Sequence, residues 1–148
     1  MKRTILPLLA TAMMALPGTV EGAGRANLVT TLTGTPNPVA VGSVYRVEAR
    51  VTNNGTANAF NASMGVLIGG SYAIRSSPTG SCRAARVGSQ ILYYCLVNLR
   101  PGQTATIAID SVPGTAGDYT WYAYADSSNT IRESNETDNT ATLIETAY

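Results

Sequence analysis

The sequence predicts an all-β fold, an antiparallel sandwich of about seven strands, and three observations lead there. Apolar residues recur at every second position through most of the chain, turn-forming residues punctuate those runs at short intervals, and no stretch carries the roughly 3.6-residue period of an amphipathic helix. Period two sends alternate side chains to opposite faces of a pleated strand. A ribbon with one apolar face is unstable alone, so two sheets must pack those faces together.

The chain opens with Lys2 and Arg3, continues in a largely apolar run from Ile5 to Leu16, and then meets the breaker pair Pro17-Gly18. That is the layout of an export leader. The run is too short for a hydrocarbon core that needs about 20 apolar residues, and no later stretch comes close, so no transmembrane segment is expected. Small residues at Val20 and Gly22, or at Gly24 and Ala26, offer cleavage points. Residues 1–26 are therefore assigned to a signal peptide, cut between about 22 and 26, and residues 27–148 to one domain.

The strands follow in order. A short alternating stretch runs from Leu28 to Thr33. From Val44 to Thr52, VYRVEARVT, one face carries Tyr45, Val47, Ala49 and Val51 and the other carries Arg46, Glu48 and Arg50, as expected of a half-buried antiparallel strand. The period returns at Phe60, Ala62, Met64, Val66 and Ile68, at Ile91, Tyr93, Cys95 and Val97, and at Ala105, Ile107 and Ile109. Shorter versions cover Tyr119 to Asp126 and Ala141 to Thr146.

Turn signals separate these runs at Thr35 to Pro38, Asn53 to Gly55, Ser77 to Gly80, Arg100 to Gly102, Val112 to Gly114 and Ser127 to Asn129. In Asn53-Asn54-Gly55 the Asn-Gly pair supplies residues tolerant of positive φ. Residues 70–90 carry the weakest pattern and are expected to form an irregular excursion. Seven strands with frequent turns describe an immunoglobulin-like sandwich.

Cys82 and Cys95 both belong to the exported part, where oxidising conditions let a pair close. A Cys82–Cys95 disulfide is expected to pin the excursion against the sandwich and to contribute about 3 kcal/mol through loop closure.

Missing residues narrow the chemistry. The 148-residue chain has no His, and its only Lys is Lys2. Ser-His-Asp triads, Cys-His dyads, His-ligated zinc and lysine Schiff bases each need a residue the domain lacks. Removing residues 1–22, which takes away Lys2, Arg3 and Glu21, leaves eight arginines against eight acids. Without a basic excess no nucleic-acid partner is expected, and Arg75, Arg83, Arg86 and Arg100 read as solvated side chains.

Two stretches carry a family likeness. Residues 36–61, PNPVAVGSVYRVEARVTNNGTANAFN, resemble the opening of the cell-surface domains called CARDB (cell-adhesion-related domain found in bacteria) and DUF11. Residues 99–109, LRPGQTATIAI, and 119–140, YTWYAYADSSNTIRESNETDNT, resemble the close of a CARDB domain. Gly80-Ser81-Cys82 with Cys95 ahead of Leu99-Arg100-Pro101-Gly102 is similar to DUF11. The resemblance implies an immunoglobulin-like fold, a prokaryotic cell-surface setting and an adhesion, spacer or recognition role; it supplies no catalytic residues.

The sharpest chemical feature is the stretch from Asp126 to Asp138. It holds Asp126, Glu133, Glu136 and Asp138, half of the domain's acids, with Asn129 among them. Calcium takes about six to eight oxygen ligands, and Asp126, Asn129, Glu133, Glu136 and Asp138 are a candidate set, so calcium is the one cofactor to consider. The alternative is turn chemistry, in which Asn129, Asn135 and Asn139 bond nearby amides and Ile131 anchors the loop. Glycoside hydrolysis would need two acids roughly 5 to 9.5 Å apart across a cleft, with Glu133 or Glu136 the residues to change. Along Tyr119 to Tyr124, Tyr119 and Trp121 share one face while Tyr122 and Tyr124 share the other. The outward pair is either cross-strand packing or a platform for a ligand.

These readings describe a non-catalytic module, secreted or at the cell surface, that recognises a protein or glycan. A structural subunit assembling through edge strands is the alternative, and a small carboxylate hydrolase the third reading.

Overall fold

A computed structural model describes residues 24–78 and 81–148. Most of the expected leader, and Thr79 and Gly80 of the expected turn at Ser77 to Gly80, lie outside the described residues. Nine strands follow in order: β1 (Leu28–Thr35), β2 (Tyr45–Asn53), β3 (Ala59–Ile68), β4 (Ser71–Ser76), β5 (Ser81–Val87), β6 (Gln90–Leu99), β7 (Thr104–Val112), β8 (Gly117–Ala125) and β9 (Thr140–Ala147). They form a four-stranded sheet, β1-β2-β7-β4, and a five-stranded sheet, β5-β6-β3-β8-β9. Every strand pairing is antiparallel.

The alternation does what period two demands. Tyr45, Val47, Ala49 and Val51 of β2, Ile107 and Ile109 of β7, Met64, Val66 and Ile68 of β3 and Trp121 of β8 meet in one core between the sheets. Each fully buried aliphatic side chain there contributes about 1.5–3 kcal/mol relative to exposure.

Two expectations are corrected. The weakly patterned residues 70–90 are not an irregular excursion but all of β4, all of β5 and the hairpin into β6. Both are edge strands with nearly every residue exposed, so neither shows an apolar alternation. Phe60, grouped by period with Ala62, is 62 % exposed. The β3–β6 register shifts between Ala59 and Ala62, with Asn61 at φ 54°, and this bulge turns Phe60 to the outside.

Cys82 and Cys95 face each other in the β5–β6 register and are bonded, with Cα atoms 4.0 Å apart. The bond ties an edge strand to its neighbour within one sheet. It does not bridge the two sheets.

The opposite side of the sandwich is closed by polar contacts. Asn53, fully buried at the end of β2, accepts the amides of Asn27 (3.1 Å) and Gly55 (3.0 Å) with Oδ1. Its Nδ2 donates to the carbonyls of Ala57 (2.8 Å) and Leu99 (2.9 Å). Gly55 serves this junction by being small: a Cβ there would stand 2.3 Å from the Arg25 carbonyl oxygen, and positive φ falls at other residues. The segment before β9 bonds β1 directly, the Thr30 amide donating to the Asp138 carbonyl at 2.9 Å and the Thr30 hydroxyl to that of Asn139 at 2.9 Å.

Candidate functional site

The acidic stretch forms a tight loop between β8 and β9, and its carboxylates turn inward to the chain's own donors. Asp126 Oδ1 accepts the Thr130 amide (3.1 Å) and hydroxyl (2.8 Å), and its Oδ2 accepts the Ile131 amide (2.6 Å). Glu133, 4 % exposed, accepts the Leu28 amide with Oε2 and Asn139 Nδ2 with Oε1 at 2.9 Å. Glu136 accepts the Glu133 amide (3.1 Å) and Asn139 Nδ2 (3.4 Å). Asp138 Oδ2 accepts from Asn27 Nδ2 at 3.1 Å. Asn129 stands exposed in the left-handed region at φ 49°, its amide donating to the Asp126 carbonyl at 2.8 Å.

Burial pushes the Glu133 carboxyl above the usual range. The Leu28 amide and Asn139 hold it back, while Glu136 and Asp126 push it further up. Among the described residues no three His, Cys, Asp or Glu side chains are grouped to hold a metal ion. Most oxygens of Asp126, Glu133, Glu136 and Asp138 satisfy backbone and amide donors that the loop and β1 would otherwise leave unpaired, while Asp138 Oδ1 is buried without a partner. Asn135 also shapes the turn, its Oδ1 accepting the Thr137 amide at 3.1 Å and hydroxyl at 2.8 Å.

The outer face of the five-stranded sheet carries the tyrosines. Gly65 of β3 lies opposite Tyr94 of β6 on one side and Tyr124 of β8 on the other, and one step along Leu67 lies opposite Leu92 and Tyr122. Two adjacent rows, Tyr94-Gly65-Tyr124 and Leu92-Leu67-Tyr122, thus run across three strands. The Tyr124 ring covers Gly65, where a Cβ would stand 2.6 Å from the phenol oxygen, so half-buried Tyr124 is partly packing. Tyr122 is 45 % exposed, and Leu96 extends the apolar surface along β6. Tyr94 escapes the period-two reading because β6 shows its alternation in Tyr93 and Cys95; the signal for it is the register opposite Tyr124.

A second group sits in the core. Glu145 of β9 is 1 % exposed, and Trp121 Nε1 donates to its Oε2 at 2.8 Å. Its Oε1 and the phenol oxygen of Tyr45 are buried without partners. Burial raises the Glu145 carboxyl, tempered by the Trp121 bond, and burial with the Glu145 charge lifts the Tyr45 phenol to about 12.

Two antiparallel sheets around one core, a disulfide-clipped edge and a tyrosine-bearing outer face define an immunoglobulin-like sandwich module. The chain belongs to the CARDB family, whose family model matches residues 25–143. Among solved structures it is similar to the CARDB domain of a Pyrococcus furiosus protein in complex with di-metal ions. The two are 20 % identical, with a TM-score of 0.63, over 84 % of this chain and 90 % of that one. A solution structure of the same domain gives 21 % identity and a TM-score of 0.62 over 83 % of this chain and 95 % of that one. A domain of a protein named for the cell surface of Methanosarcina acetivorans gives 20 % identity and a TM-score of 0.53 over 84 % and 93 %. At such identities these are likenesses of fold. No curated protein matches the chain. Among the described residues no helix is long and apolar enough to cross a membrane.

Proposed function

We propose that the chain is exported behind its N-terminal leader and acts as a non-catalytic recognition module, holding a protein or glycan partner against the outer face of the five-stranded sheet. The observation that carries this reading is the pair of rows Tyr94-Gly65-Tyr124 and Leu92-Leu67-Tyr122, an outward surface of rings and leucines in register on three strands. Aromatic side chains are enriched where proteins meet partners, and their ring faces stack on sugars and apolar groups alike.

Export is supported by the leader layout and the disulfide, which suits an oxidising compartment. Ala26 is buried and the Arg25 carbonyl accepts the amides of Thr56 and Ala57, so a cut at or before Gly24 leaves the fold whole. The non-catalytic reading rests on the absence of His and of any Lys beyond the leader, and on acids bound to the loop's own donors. Assembly through the β4 and β5 edges is opposed by Arg75 on β4 and Arg83 and Arg86 on β5, since charges on sheet edges discourage pairing. The test is a screen of the purified protein against immobilised glycans and cell-surface proteins. Saturable binding that competes with modification of Tyr122 supports the reading, and binding indifferent to that face removes it.

A further inference from the structure

The tyrosine rows of the five-stranded sheet end on a charge at β5. Cys95 points into the core and Cys82 lies opposite it, so Ser81, Arg83, Ala85 and Val87 take the outer side of β5. Arg83 falls opposite Tyr94, and the first row therefore reads Arg83-Tyr94-Gly65-Tyr124 across four strands. The Cys82–Cys95 disulfide stands next to this pair and fixes β5 against β6 there.

Charge is spread unevenly along the chain. Residues 49–109 hold five arginines, Arg50, Arg75, Arg83, Arg86 and Arg100, and no acid. Arg83 is exposed and takes part in no ion pair among the described residues. On the outward strand positions of this sheet the one carboxyl is that of Asp118, which lies six residues from Tyr124 along β8, about 20 Å away. Arg83 thus sets the sign of the charge beside the rings.

The face offers a partner its side chains alone. At these rows β6, β3 and β8 are each paired on both flanks, so their backbone groups are engaged in the sheet. An extended peptide laid across them gains no main-chain bonds, whereas a sugar ring can cover a phenol ring with its C–H face. The guanidinium beside that ring presents a planar fork of donors that matches a carboxylate.

Taking the tyrosine face as the binding surface, on which the assignment rests, we infer that its ligand is an acidic glycan: a sugar ring stacks on Tyr94 while its uronate carboxylate meets the Arg83 guanidinium. The ring supplies contact area and the arginine selects the charge.

The experiment measures, by calorimetric titration of the purified protein, the affinity for short oligomers of galacturonate, of mannuronate and of glucuronate alternating with N-acetylglucosamine. The neutral methyl ester of the tightest binder and an oligoglutamate peptide are titrated beside them. Saturable binding of an acidic oligomer, at least about tenfold tighter than of its ester, is the expected result. Arg83→Gln should bring the acid down to the affinity of the ester, and Tyr94→Ala should weaken both. Arg86→Gln removes the same charge from the other side of β5 and should change nothing. Both arginines are exposed, so the substitutions leave the core intact, which the melting temperature checks. Equal affinity for acid and ester, with both weakened by Tyr94→Ala, overturns the acidic class and leaves the tyrosine face standing. Binding of the acid that ignores Tyr94→Ala overturns both. An equal loss in Arg86→Gln reduces the effect to net charge, and tighter binding of oligoglutamate points to an acidic protein; either overturns the inference, as does the absence of saturable binding for every acidic oligomer.

Discussion

The Glu133 carboxylate accepts the backbone amide of Leu28, a residue 105 positions away, and through this bond the acidic loop closes onto the first strand. The same side chain accepts Asn139 Nδ2, so one glutamate joins β1 to the entry of β9. Glu133→Ala would leave a buried amide unmet, and removing a charged acceptor from a buried donor costs about 2–3 kcal/mol. Equilibrium denaturation of the variant should show that loss, and an unchanged midpoint would mean that the loop does not hold β1.

Because the carboxylates of Asp126, Glu133, Glu136 and Asp138 already accept donors from the chain, added calcium should find no cage. Binding to the folded state raises its stability by an amount that grows with ligand concentration over Kd. The melting temperature should therefore not move at millimolar calcium, and an upward shift would place a cation among these residues.

The Asn53 side chain makes four hydrogen bonds that join the start of β1, the turn at Gly55 and the end of β6. Asn53→Ala strands several buried backbone groups at once, with an expected loss of about 3–5 kcal/mol. Gly55→Ala should also destabilise, by driving a methyl into the Arg25 carbonyl. Thermal melting of both variants checks the pair, and a neutral result at either position contradicts the junction described.

Glu145 has a folded pKa above its ordinary value of 4.5, chiefly through burial. Between that value and the raised one the native state holds more protons than the unfolded chain, so this group's contribution falls as pH rises. Glu145→Gln cannot ionise, and it should gain stability relative to the native sequence as pH rises from 4.5, the ordinary value, through the raised one. Denaturant titrations across that range read the difference, and a flat or inverted difference would mean that Glu145 is not buried as described.

Reduction of Cys82–Cys95 frees an edge strand and leaves the core in place. About 3 kcal/mol of loop-closure stabilisation should be lost. Hydrogen exchange should rise in β5 while β3 and β8 stay protected; uniform exposure would show instead that the disulfide holds the whole sandwich.

Period-two reading recovers β2, β7 and most of β3 because each has one face in the core. It passes over β4 and β5, whose edge positions leave both faces wet, and it misplaces Phe60 because a bulge at Asn61 is invisible to a strict alternation. The acidic loop is legible as a cluster, but a cluster does not reveal whether its oxygens face a cation or the chain's own amides; that depends on Leu28 and Asn27, distant in sequence. Glu145 was within reach, since Ala141, Leu143, Glu145 and Ala147 alternate inward and put a carboxyl at a core position.

The central claim is that the outer tyrosine face meets a partner, and the direct measurement is the affinity of the native protein, Tyr122→Ala and Tyr94→Ala for the tightest binder in the glycan and surface-protein screen. Each variant should lose about tenfold or more in affinity, as residues that anchor an interface do, with the melting temperature little changed. Native affinity in both variants would contradict the claim.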